Sequence, residues 1–559
     1  MSDWPGGASV GSRRPRARPR STAGPVPAAG ATRREFVATG ALATAAWMIV
    51  PRHVLGQGLT PPSDLVNVAV VGIGGMGAAN AQAVMSQNIV AICDVDDALV
   101  NARLADWKRA LQPRPATPRR QTPPARPATP PPVTLDWDTF GPSRLQGAAD
   151  QAWRPTPGNA NLRRFVEEQL PRVKRHRDYR EMLERQKDID ALIIATPDHM
   201  HAPIASAAMA AGKHVYVQKP MSWSVTEARH LARMAEANPR LVTQMGNQGH
   251  SSDDARRGQD YLASGVLGDI TDVHVWTNRP LAFWPQGIPR PKKFDGDWDR
   301  LGWSNTGVME RLANAFTNRV KAKIPKALRW DLFLGAAPDV PYHPLYHPFN
   351  WRGWVDWGQG ALGDMGAHLI DHPVWGLRLG LPTTIETVST PFNGVSYPNA
   401  TTTRFEFAAR DGMPGVTMTW YDGGLMPPKP VEMGEASLPA DGGVLYIGTK
   451  GKMLQHNTGS RPRLLPVELH NSVGAPPERM PRVPHQAHEM NWVNAIRGTD
   501  TISCPFAYAA PLTEIMLLGI VALRAGRRIQ YDGAAMRVTN HAAANAHLSR
   551  DYRPGFGLA

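Results

Sequence analysis

The most constraining feature of the sequence is a pair of apolar runs joined by a glycine-rich loop. Residues 65–71 are rich in β-branched side chains and predict a buried parallel strand. Gly72-Ile73-Gly74-Gly75-Met76-Gly77 follows at once, and then come a helix-compatible stretch and a second strand, residues 89–93, which ends at Asp94. The order of strand, glycine loop, helix, strand and acid predicts a dinucleotide-binding unit.

Each part of this motif has a physical role in holding a dinucleotide. Glycines permit the tight turn and let the backbone approach a pyrophosphate, whose charge the helix N-terminus favours. Asp94, 22 residues after Gly72, would accept hydrogen bonds from the adenosine ribose and repel a 2′-phosphate. We therefore expect NAD rather than NADP. The expected contacts from this unit are Gly72, Ile73, Gly74, Gly75, Met76, Gly77 and Asp94.

The same α/β pattern continues further along the chain. Residues 189–195, 214–218 and 241–245 predict strands, and helices are predicted at 179–186, 203–211 and 224–237. Ligands of open α/β sheets bind at the carboxyl ends of the strands. We therefore add the residues at two such ends to the expected cofactor site: Thr196, Pro197, Asp198, His201, Gln218 and Lys219.

Composition and hydrophobic periodicity divide the chain into domains. Residues 65–245 are expected to form the Rossmann domain, interrupted at 111–160 by a disordered surface insertion. Nine of the 23 residues from 111 to 133 are proline, a composition that no helix or central strand holds. Alternating runs at 270–276, 402–407 and 416–420 favour antiparallel strands, and residues 505–526 predict an amphipathic helix. Residues 246–559 are therefore expected to form an α+β domain.

Charge and cysteine content exclude several classes of protein. Of the net charge of +14, a net +6 falls in residues 1–56 and a net +4 in residues 111–133. The remainder is only mildly basic, so nucleic-acid binding is not expected. The two cysteines, Cys93 and Cys504, are too few for a disulfide framework or a cysteine-based zinc site.

Residues 1–64 predict a disordered tail followed by an export signal. Arg33 and Arg34 precede a 14-residue apolar run, residues 37–50, which is too short to span a bilayer and suits a signal sequence. Paired arginines before such a run indicate twin-arginine export and a periplasmic location. An uncleaved anchor and a chance arginine pair are the alternatives. No other stretch is expected to span a membrane, so membrane contact is predicted through the signal alone.

The ordered set of motifs resembles the Gfo/Idh/MocA oxidoreductases, especially their twin-arginine-exported members. The matching pieces are the glycine loop, residues 195–201, Gln218-Lys219-Pro220, residues 244–250 and residues 360–368. The resemblance implies an α/β Rossmann domain followed by an α+β domain with a large open, mostly antiparallel sheet. It also implies a nicotinamide cofactor, a small-molecule carbohydrate substrate and a homo-oligomer paired through the open sheet.

The resemblance also assigns the reacting end of the site. Lys219 matches the lysine of the family's Glu-Lys-Pro motif, whose glutamate is Gln218 here, and Asp364 and His368 match the family's Asp-x-x-x-His pair. The i, i+4 spacing places that pair on one helix face. Oxidation of an alcohol needs a group that accepts the hydroxyl proton, and His368, with a pKa expected near the working pH, is the natural acceptor. Asp364 would orient it and Lys219 would stabilise the alkoxide, although these roles are exchangeable.

The second domain supplies the expected substrate contacts. Nine of the 17 tryptophans lie between Trp276 and Trp375, and most are expected in the core. Trp351 is chosen as a sugar-stacking ring, and the neighbouring Arg352 could reach a hydroxyl or a carboxylate. The other expected substrate residues are Asn247, His250 and His372. His368 and His372 have a metal-ligand spacing, but without the HExxH glutamate no metal is expected.

Three functions are consistent with these residues. The first is an NAD-dependent oxidoreductase that acts on a secondary hydroxyl of a sugar, glycoside or polyol with a tightly bound cofactor. The second is a redox-neutral glycosidase, which oxidises its substrate, eliminates the glycosidic group, adds water and re-reduces the product. The third is a non-catalytic carbohydrate-binding protein, which Gln218 favours because the motif has lost its charge.

Overall fold

A six-stranded parallel sheet carries the glycine loop. The computed structural model describes residues 64–112, 160–281, 283–291 and 323–559. The strands are β1 Asn67–Val71, β2 Asn88–Cys93, β3 Lys174–His176, β4 Ala191–Ile194, β5 His214–Gln218 and β6 Thr243–Gly246. Their order, β3-β2-β1-β4-β5-β6, is that of a Rossmann domain, which confirms the predicted fold class. The sequence analysis missed β3, because its three polar residues, Lys-Arg-His, give no apolar run.

Short helices connect these strands. They are α1 Met76–Ala83, α2 Asp97–Ala110, α3 Ala160–Arg164, α4 Tyr179–Arg185, α5 His201–Ala210 and α6 Val225–Ala237. The Asp96 side chain accepts a hydrogen bond from the backbone N–H of Ala98 and so begins α2. Ser224 and Glu227 form a reciprocal capping box at the start of α6, which fixes that boundary one residue after the predicted one.

The second sheet has nine strands and is mixed. They are β7 Ile270–Thr277, β8 Thr384–Ser389, β9 Thr401–Phe407, β10 Val416–Tyr421, β11 Gly442–Gly448, β12 Lys452–His456, β13 Arg463–Leu465, β14 Ile529–Asp532 and β15 Arg537–Val538. The order is β13-β12-β11-β7-β10-β9-β8-β14-β15, and every neighbouring pair except β7–β10 is antiparallel. Burial alternates along β9, as expected of a sheet covered on one face.

Seven α-helices accompany this sheet within the described part of the chain. They are α7 Asp253–Ser264, α8 Trp330–Leu334, α9 Gly360–Leu369, α10 Asp371–Gly376, α11 Val467–Val473, α12 His488–Ile496 and α13 Phe506–Ala525. One apolar core runs through both sheets, since Val71 and Val217 belong to the same cluster as Val273, Phe405 and Leu518. The domain boundary at residue 245 stays a prediction.

The helix α13 departs from the sequence-based expectation. Fifteen of its 20 residues are buried, so it is a core helix and the predicted amphipathic pattern is wrong. The buried Glu514 on this helix is paired with Arg229 of α6 at 2.6 Å. Among the described residues, α13 is also the one helix long and apolar enough to cross a membrane, whereas we expected no such stretch outside the signal. However, 83% of its apolar window is buried inside the protein.

Two predicted segments lie outside the described residues. The tail with the twin-arginine signal falls in residues 1–63, and the proline-rich insertion falls in residues 113–159. Both therefore stay predictions.

Candidate active site

A cavity of about 500 Å³ lies at the carboxyl ends of β1, β2, β4 and β5. That volume is typical of small-molecule sites. One wall contains the glycine loop, and the other comes from residues 332–364 and the C-terminal tail. Of the predicted site residues, the cavity is lined by Gly72, Gly74, Gly75, Met76, Asp94, Thr196, Pro197, Asp198, His201, Gln218, Lys219, Trp351, Arg352 and Asp364.

The glycine loop fits a dinucleotide pyrophosphate. Gly72 has a φ of +83°, and a Cβ there would lie 2.7 Å from the carbonyl oxygen of Ala195. A Cβ on Gly77 would lie 1.7 Å from the Gly72 carbonyl oxygen, so this glycine serves the packing of α1 against β1. A Cβ on Gly75 would instead project into open space, so the backbone at this position is accessible from the cavity. The first turn of α1 carries no acidic residue and no capping side chain, which leaves its N–H groups available to an anion.

Asp94 is fixed at the end of β2 by two backbone donors. Its Oδ2 accepts from Ile73 N at 2.8 Å, and its Oδ1 accepts from Asp96 N at 3.0 Å. Each carboxylate oxygen retains a further lone pair for a ribose hydroxyl. Burial is the main cause of a raised pKa for Asp94, which these backbone hydrogen bonds partly offset. The geometry fits the predicted ribose acceptor, whereas the Ile73 side chain lies in the core and contributes only its N–H.

Lys219 and Asp364 meet at the other end of the cavity. Lys219 Nζ donates to Asp364 Oδ1 at 2.9 Å and to the Asp364 carbonyl oxygen at 2.5 Å. Arg352 Nε lies 3.4 Å from the same Oδ1. Burial alone would raise the pKa of Asp364, but the charges of Lys219 and Arg352 outweigh it and hold this pKa well below its usual range. Asp364 is therefore an ionised anchor for two cations and a weak proton acceptor.

His368 differs from its predicted role. Burial and the nearby charge of Lys219 lower its pKa to about 3, so the imidazole is neutral and a weak base. The expectation of a pKa near the working pH is wrong, because a desolvated ring beside a lysine cannot easily take a proton. His368 also does not line the cavity, although it follows Asp364 by one turn of α9.

Asp198 is the cavity-lining carboxyl whose proton affinity is closest to neutral pH. Burial raises its pKa to about 8, with Arg352, Asp364 and Lys219 as the charged groups that modify it. No side chain caps the two helical turns that follow, so Asp198 does not act as a helix cap. The Asp198 carboxyl accepts a hydrogen bond from the Gln359 backbone and lines the cavity, where a bound ligand would contact it.

His201 positions two loops instead of presenting a ring nitrogen to the cavity. Nδ1 lies 2.7 Å from the Pro220 carbonyl oxygen and Nε2 lies 2.8 Å from that of Thr196. Burial lowers the pKa of His201 to about 4, so the neutral ring donates to one of these carbonyls at a time. The contact ties the loop after β4 to the Lys219-Pro220 turn.

Gln218 belongs to a buried hydrogen-bond chain that sequence analysis did not reveal. Its Nε2 donates to Asn80 Oδ1 at 2.9 Å, and Asn80 Nδ2 donates to Glu489 Oε1 at 2.7 Å. Tyr216 and Gln248 donate to the same carboxylate oxygen. The carboxylate of Glu489, on α12, is thus connected to Gln218 through two hydrogen bonds.

Three predicted substrate residues lie away from the cavity. Asn247 and His250 both contact Asp371, at 3.0 and 2.9 Å, and Tyr508 donates to it at 2.6 Å. His372 is fully buried. The prediction that Asn247, His250 and His372 bind substrate is therefore not supported, because Asp371 draws two of them into a buried polar cluster and His372 is enclosed beside it.

Several lining residues were missed because no local motif marks them. Segments of the second region bring Phe333, His347 and Phe349 to the cavity, and the tail brings Phe556. The isolated bridge between Asp96 and Leu328 and the hydrogen bond from His347 Nε2 to Asp96 Oδ2 at 2.9 Å dock this region against the end of β2. Within the described ranges, no group of three or more His, Cys, Asp or Glu side chains could hold a metal ion.

A Rossmann sheet with this glycine loop defines a dinucleotide-binding fold, and a lysine–aspartate pair lies at the far end of its cavity. Residues 156–245 match the family model described as "Oxidoreductase family, NAD-binding Rossmann fold", and residues 306–384 match the one described as "Oxidoreductase family, C-terminal alpha/beta domain". Residues 156–245 and 306–384 are thus similar to Gfo/Idh/MocA oxidoreductases, and the first of these segments lies in an NAD-binding Rossmann domain.

Curated relatives match over short segments. An uncharacterized oxidoreductase, YdgJ, of Escherichia coli (strain K12) is 39% identical over 126 residues, which is 22% of this chain and 33% of that protein. A glycosyl hydrolase family 109 protein of Shewanella amazonensis is 37% identical over 85 residues, which is 15% of this chain and 18% of that protein. The chain thus spans a third or less of the length of these relatives.

Solved structures of low identity were also found. The WlbA dehydrogenase from Bordetella pertussis, in complex with NADH and UDP-GlcNAcA, has a TM-score of 0.47 and 14% identity, with 84% of this chain and 99% of that chain covered. A levoglucosan dehydrogenase in complex with NADH and L-sorbose has a TM-score of 0.46 and 15% identity, with 84% and 99% covered.

Proposed function

We propose that the protein is an NAD-dependent oxidoreductase that acts on a secondary hydroxyl of a carbohydrate. The main supporting observation is the ion pair between Lys219, which follows β5, and Asp364 on α9. This pair lies at one end of a cavity whose other end is formed by the glycine loop and Asp94. Bound NAD would supply the two-electron acceptor or donor. Gly74, Gly75 and Asp94 would hold it, and the protein's own side chains would handle the hydroxyl proton.

The charges at the reacting end divide the work between three residues. The Lys219 ammonium, held by Asp364, is placed to donate to a substrate oxygen and to stabilise negative charge there. Asp198, with a pKa of about 8, is the lining group that exchanges a proton near neutral pH. Its carboxylate takes the hydroxyl proton during oxidation, and its protonated form returns one during reduction. This replaces His368 as the proton acceptor.

The first experiment measures the nucleotide that accompanies the purified protein. The protein is isolated without added nucleotide and denatured, and the released NAD(H) and NADP(H) are quantified by mass spectrometry. Near-stoichiometric NAD(H) supports both the cofactor assignment and its tight binding. A predominance of NADP(H) contradicts the role of Asp94, and a protein that is empty and fails to bind added NAD contradicts the proposed oxidoreductase.

Tight retention of the cofactor is supported by the cover over the Asp94 end. Phe333 packs against His347, which is hydrogen bonded to Asp96 near Asp94, and Phe556 reaches the cavity from the tail. Arg329 N donates to the Val95 carbonyl oxygen at 2.8 Å, which pins this cover to the end of β2. A cover built from three separate segments must open before a dinucleotide can leave, so slow dissociation is expected.

A redox-neutral glycosidase is the second candidate, favoured by the match to glycosyl hydrolase family 109 proteins. Such a reaction restores its nicotinamide within each cycle, which suits a retained cofactor. The two candidates are separated by incubating the protein with aryl glycosides and following both products and absorbance at the NADH wavelength. Release of free sugar without net NADH supports the glycosidase, and NADH accumulation supports the net oxidoreductase.

Export and assembly are also proposed. Arg33 and Arg34 before residues 37–50 support twin-arginine export to the periplasm. A fusion of residues 1–64 to a reporter should appear in the periplasm, and its Arg33→Lys/Arg34→Lys variant should not. For assembly, we propose a homo-oligomer paired through the large sheet, as the family resemblance implies. Light scattering on a sizing column should give a multiple of the chain mass of 61.0 kDa, and a monomer would contradict it.

A further inference from the structure

The charges at the reacting end do not cancel. Lys219 and Arg352 both lie against one carboxylate, Asp364, at 2.9 and 3.4 Å, and all three line the cavity. Their side chains are only 12%, 20% and 16% exposed. Two cations that share one anion leave one positive charge without a partner at this place.

The surrounding titratable groups do not supply the missing negative charge. Burial raises the pKa of Asp198 to about 8, so this carboxyl is mainly protonated at neutral pH. Burial also lowers the pKa values of His201 and His368, so both rings are neutral. Further out, Arg279 interacts electrostatically with Asp364 and with Asp441, which adds one charge of each sign.

Arg352 is held in one orientation with part of its guanidinium free. Its Cζ lies 4.3 Å from the ring centroids of both Phe349 and Trp351. Nη1 donates to the Phe349 carbonyl oxygen at 3.0 Å, and Nε faces Asp364. Nη2 has no hydrogen-bond partner within the described ranges of the chain. A guanidinium fixed in this way loses little side-chain entropy when an anion binds it.

We propose that the carbohydrate substrate carries a carboxylate and that Arg352 binds it, so that the protein acts on a sugar acid. This inference rests on the proposed function and names its substrate class. A carboxylate at Nη2 restores charge balance and gains a charge-assisted hydrogen bond. A neutral sugar leaves the positive charge uncompensated in a partly dehydrated site. Phe349, 46% exposed and facing the cavity, offers an apolar surface to the sugar ring.

The test compares matched sugars on the NAD-saturated protein. Binding of D-glucuronate and D-galacturonate is measured by calorimetry beside D-glucose and D-galactose, with glucose 6-phosphate as a second anion. We expect the sugar acids to bind about 10- to 100-fold more tightly than the neutral hexoses. Arg352→Met should reduce that ratio to within about twofold, with the larger loss of affinity for the sugar acids. Arg352→Lys, which keeps the charge without the fork, should retain part of the preference.

Controls separate this inference from its alternatives. Arg404→Met removes a 54% exposed arginine on β9 and should leave every affinity unchanged. Equal binding of acids and neutral sugars, tightest binding of the phosphate, or an equal loss for all ligands in Arg352→Met would each overturn the proposal. A parallel NAD titration tests the proposed function by itself: failure to bind NAD contradicts the oxidoreductase, while weakened NAD binding in Arg352→Met alone would make Arg352 a cofactor residue and overturn the inference.

Discussion

The two walls of the cavity are built in different ways. The glycine-loop wall comes from one continuous unit, β1 to Asp94, and close backbone contacts fix it, such as that of Gly77 with the Gly72 carbonyl oxygen. The reacting wall combines Lys219 with Arg352 and Asp364 from far along the chain, and charge holds it together. Changes in the first wall should therefore act on folding and cofactor binding, whereas changes in the second should act on chemistry.

The largest expected effects come from two glycines of the first wall. Gly77→Ala places a Cβ against the Gly72 carbonyl oxygen, where neither backbone segment can yield, so we expect a loss of about 4 kcal/mol or failure to fold. Gly75→Ala meets no atom within 4 Å, so it should cost at most about 1 kcal/mol. The free energy of unfolding is measured by urea denaturation.

The Gly75→Ala variant also tests the position of the cofactor when its NAD affinity is measured. The added methyl group of Gly75→Ala occupies the space where the pyrophosphate is expected, so NAD affinity should fall by about 100-fold in a folded protein. Gly380→Ala, at an open position without a positive φ and outside the site, controls for the general effect of replacing a glycine. Unchanged NAD affinity in Gly75→Ala would place the cofactor elsewhere.

Lys219→Met should show the opposite behaviour in the second wall. The variant keeps the aliphatic stem but loses the ammonium, so turnover should fall by about 10²- to 10⁴-fold while NAD affinity stays within a few-fold. Turnover is followed with the preferred sugar, and NAD affinity is followed by calorimetry. A fully active Lys219→Met would contradict a catalytic role for Lys219, whereas a wild-type protein that binds carbohydrate without any turnover would favour the carbohydrate-binding alternative.

Sequence alone predicted the first wall well, because its determinants are consecutive. Strand, loop, helix and Asp94 occur within one short segment, and each is fixed by local sterics or backbone hydrogen bonds. In the second wall, Lys219, Asp364 and Arg352 were found through a family resemblance and one aromatic cluster. Their mutual charge balance could not be predicted, since it depends on the distances between distant residues.

The missed and misplaced residues have the same physical origin. His368 lies on the predicted helix face, but its pKa is set by burial and by Lys219, which no spacing reveals. His250 looked equally suitable, yet Asp371 draws it into a buried cluster. Phe556 reaches the cavity only because the tail packs back on α4 through Arg180. Each depends on tertiary contacts without a local signal.

Asp198→Asn tests whether the ionisation of Asp198 lowers the free energy of unfolding while supporting activity. The folded pKa of Asp198 is about 8, above an unfolded value of about 3.9. The unfolded chain therefore releases this proton first, and the folded protein loses stability as pH rises from about 4 to about 8. Asparagine does not titrate, so the variant should be more stable at pH 8 by roughly 2–4 kcal/mol and less active.

Urea midpoints of both proteins at pH 5, 6, 7 and 8 check this sign. The difference between variant and wild type should grow with pH and level off near pH 8. A difference that is constant across this range would show that Asp198 ionises normally and would remove it as the proton-exchanging group.

The chain from Gln218 to Glu489 links the two walls and permits a double-mutant cycle. Gln218→Glu turns a carboxylate toward Asn80 Oδ1, and rotation of the Asn80 amide would then set its oxygen against Glu489. We expect a loss of about 1–3 kcal/mol for this single change. The double variant Gln218→Glu/Glu489→Gln reverses the two hydrogen bonds that Asn80 makes and should recover part of this loss, with a coupling of about 1–2 kcal/mol. Additive losses would show that the chain does not act as a unit.

The smallest expected effect concerns the tail, which covers the first wall although it is contributed from the end of the second region. Phe556 is buried against Arg180, whose Cζ lies 4.1 Å from the ring centroid, and it lines the cavity. Phe556→Ala should raise the dissociation rate of NAD by about 2- to 10-fold, since one aromatic contact is lost while the glycine loop is intact. Stopped-flow displacement of NAD measures this rate, with the exposed Asp551→Ala as the control. An unchanged rate would mean that the cover opens without moving the tail, and that retention depends on the segments around Phe333 and His347.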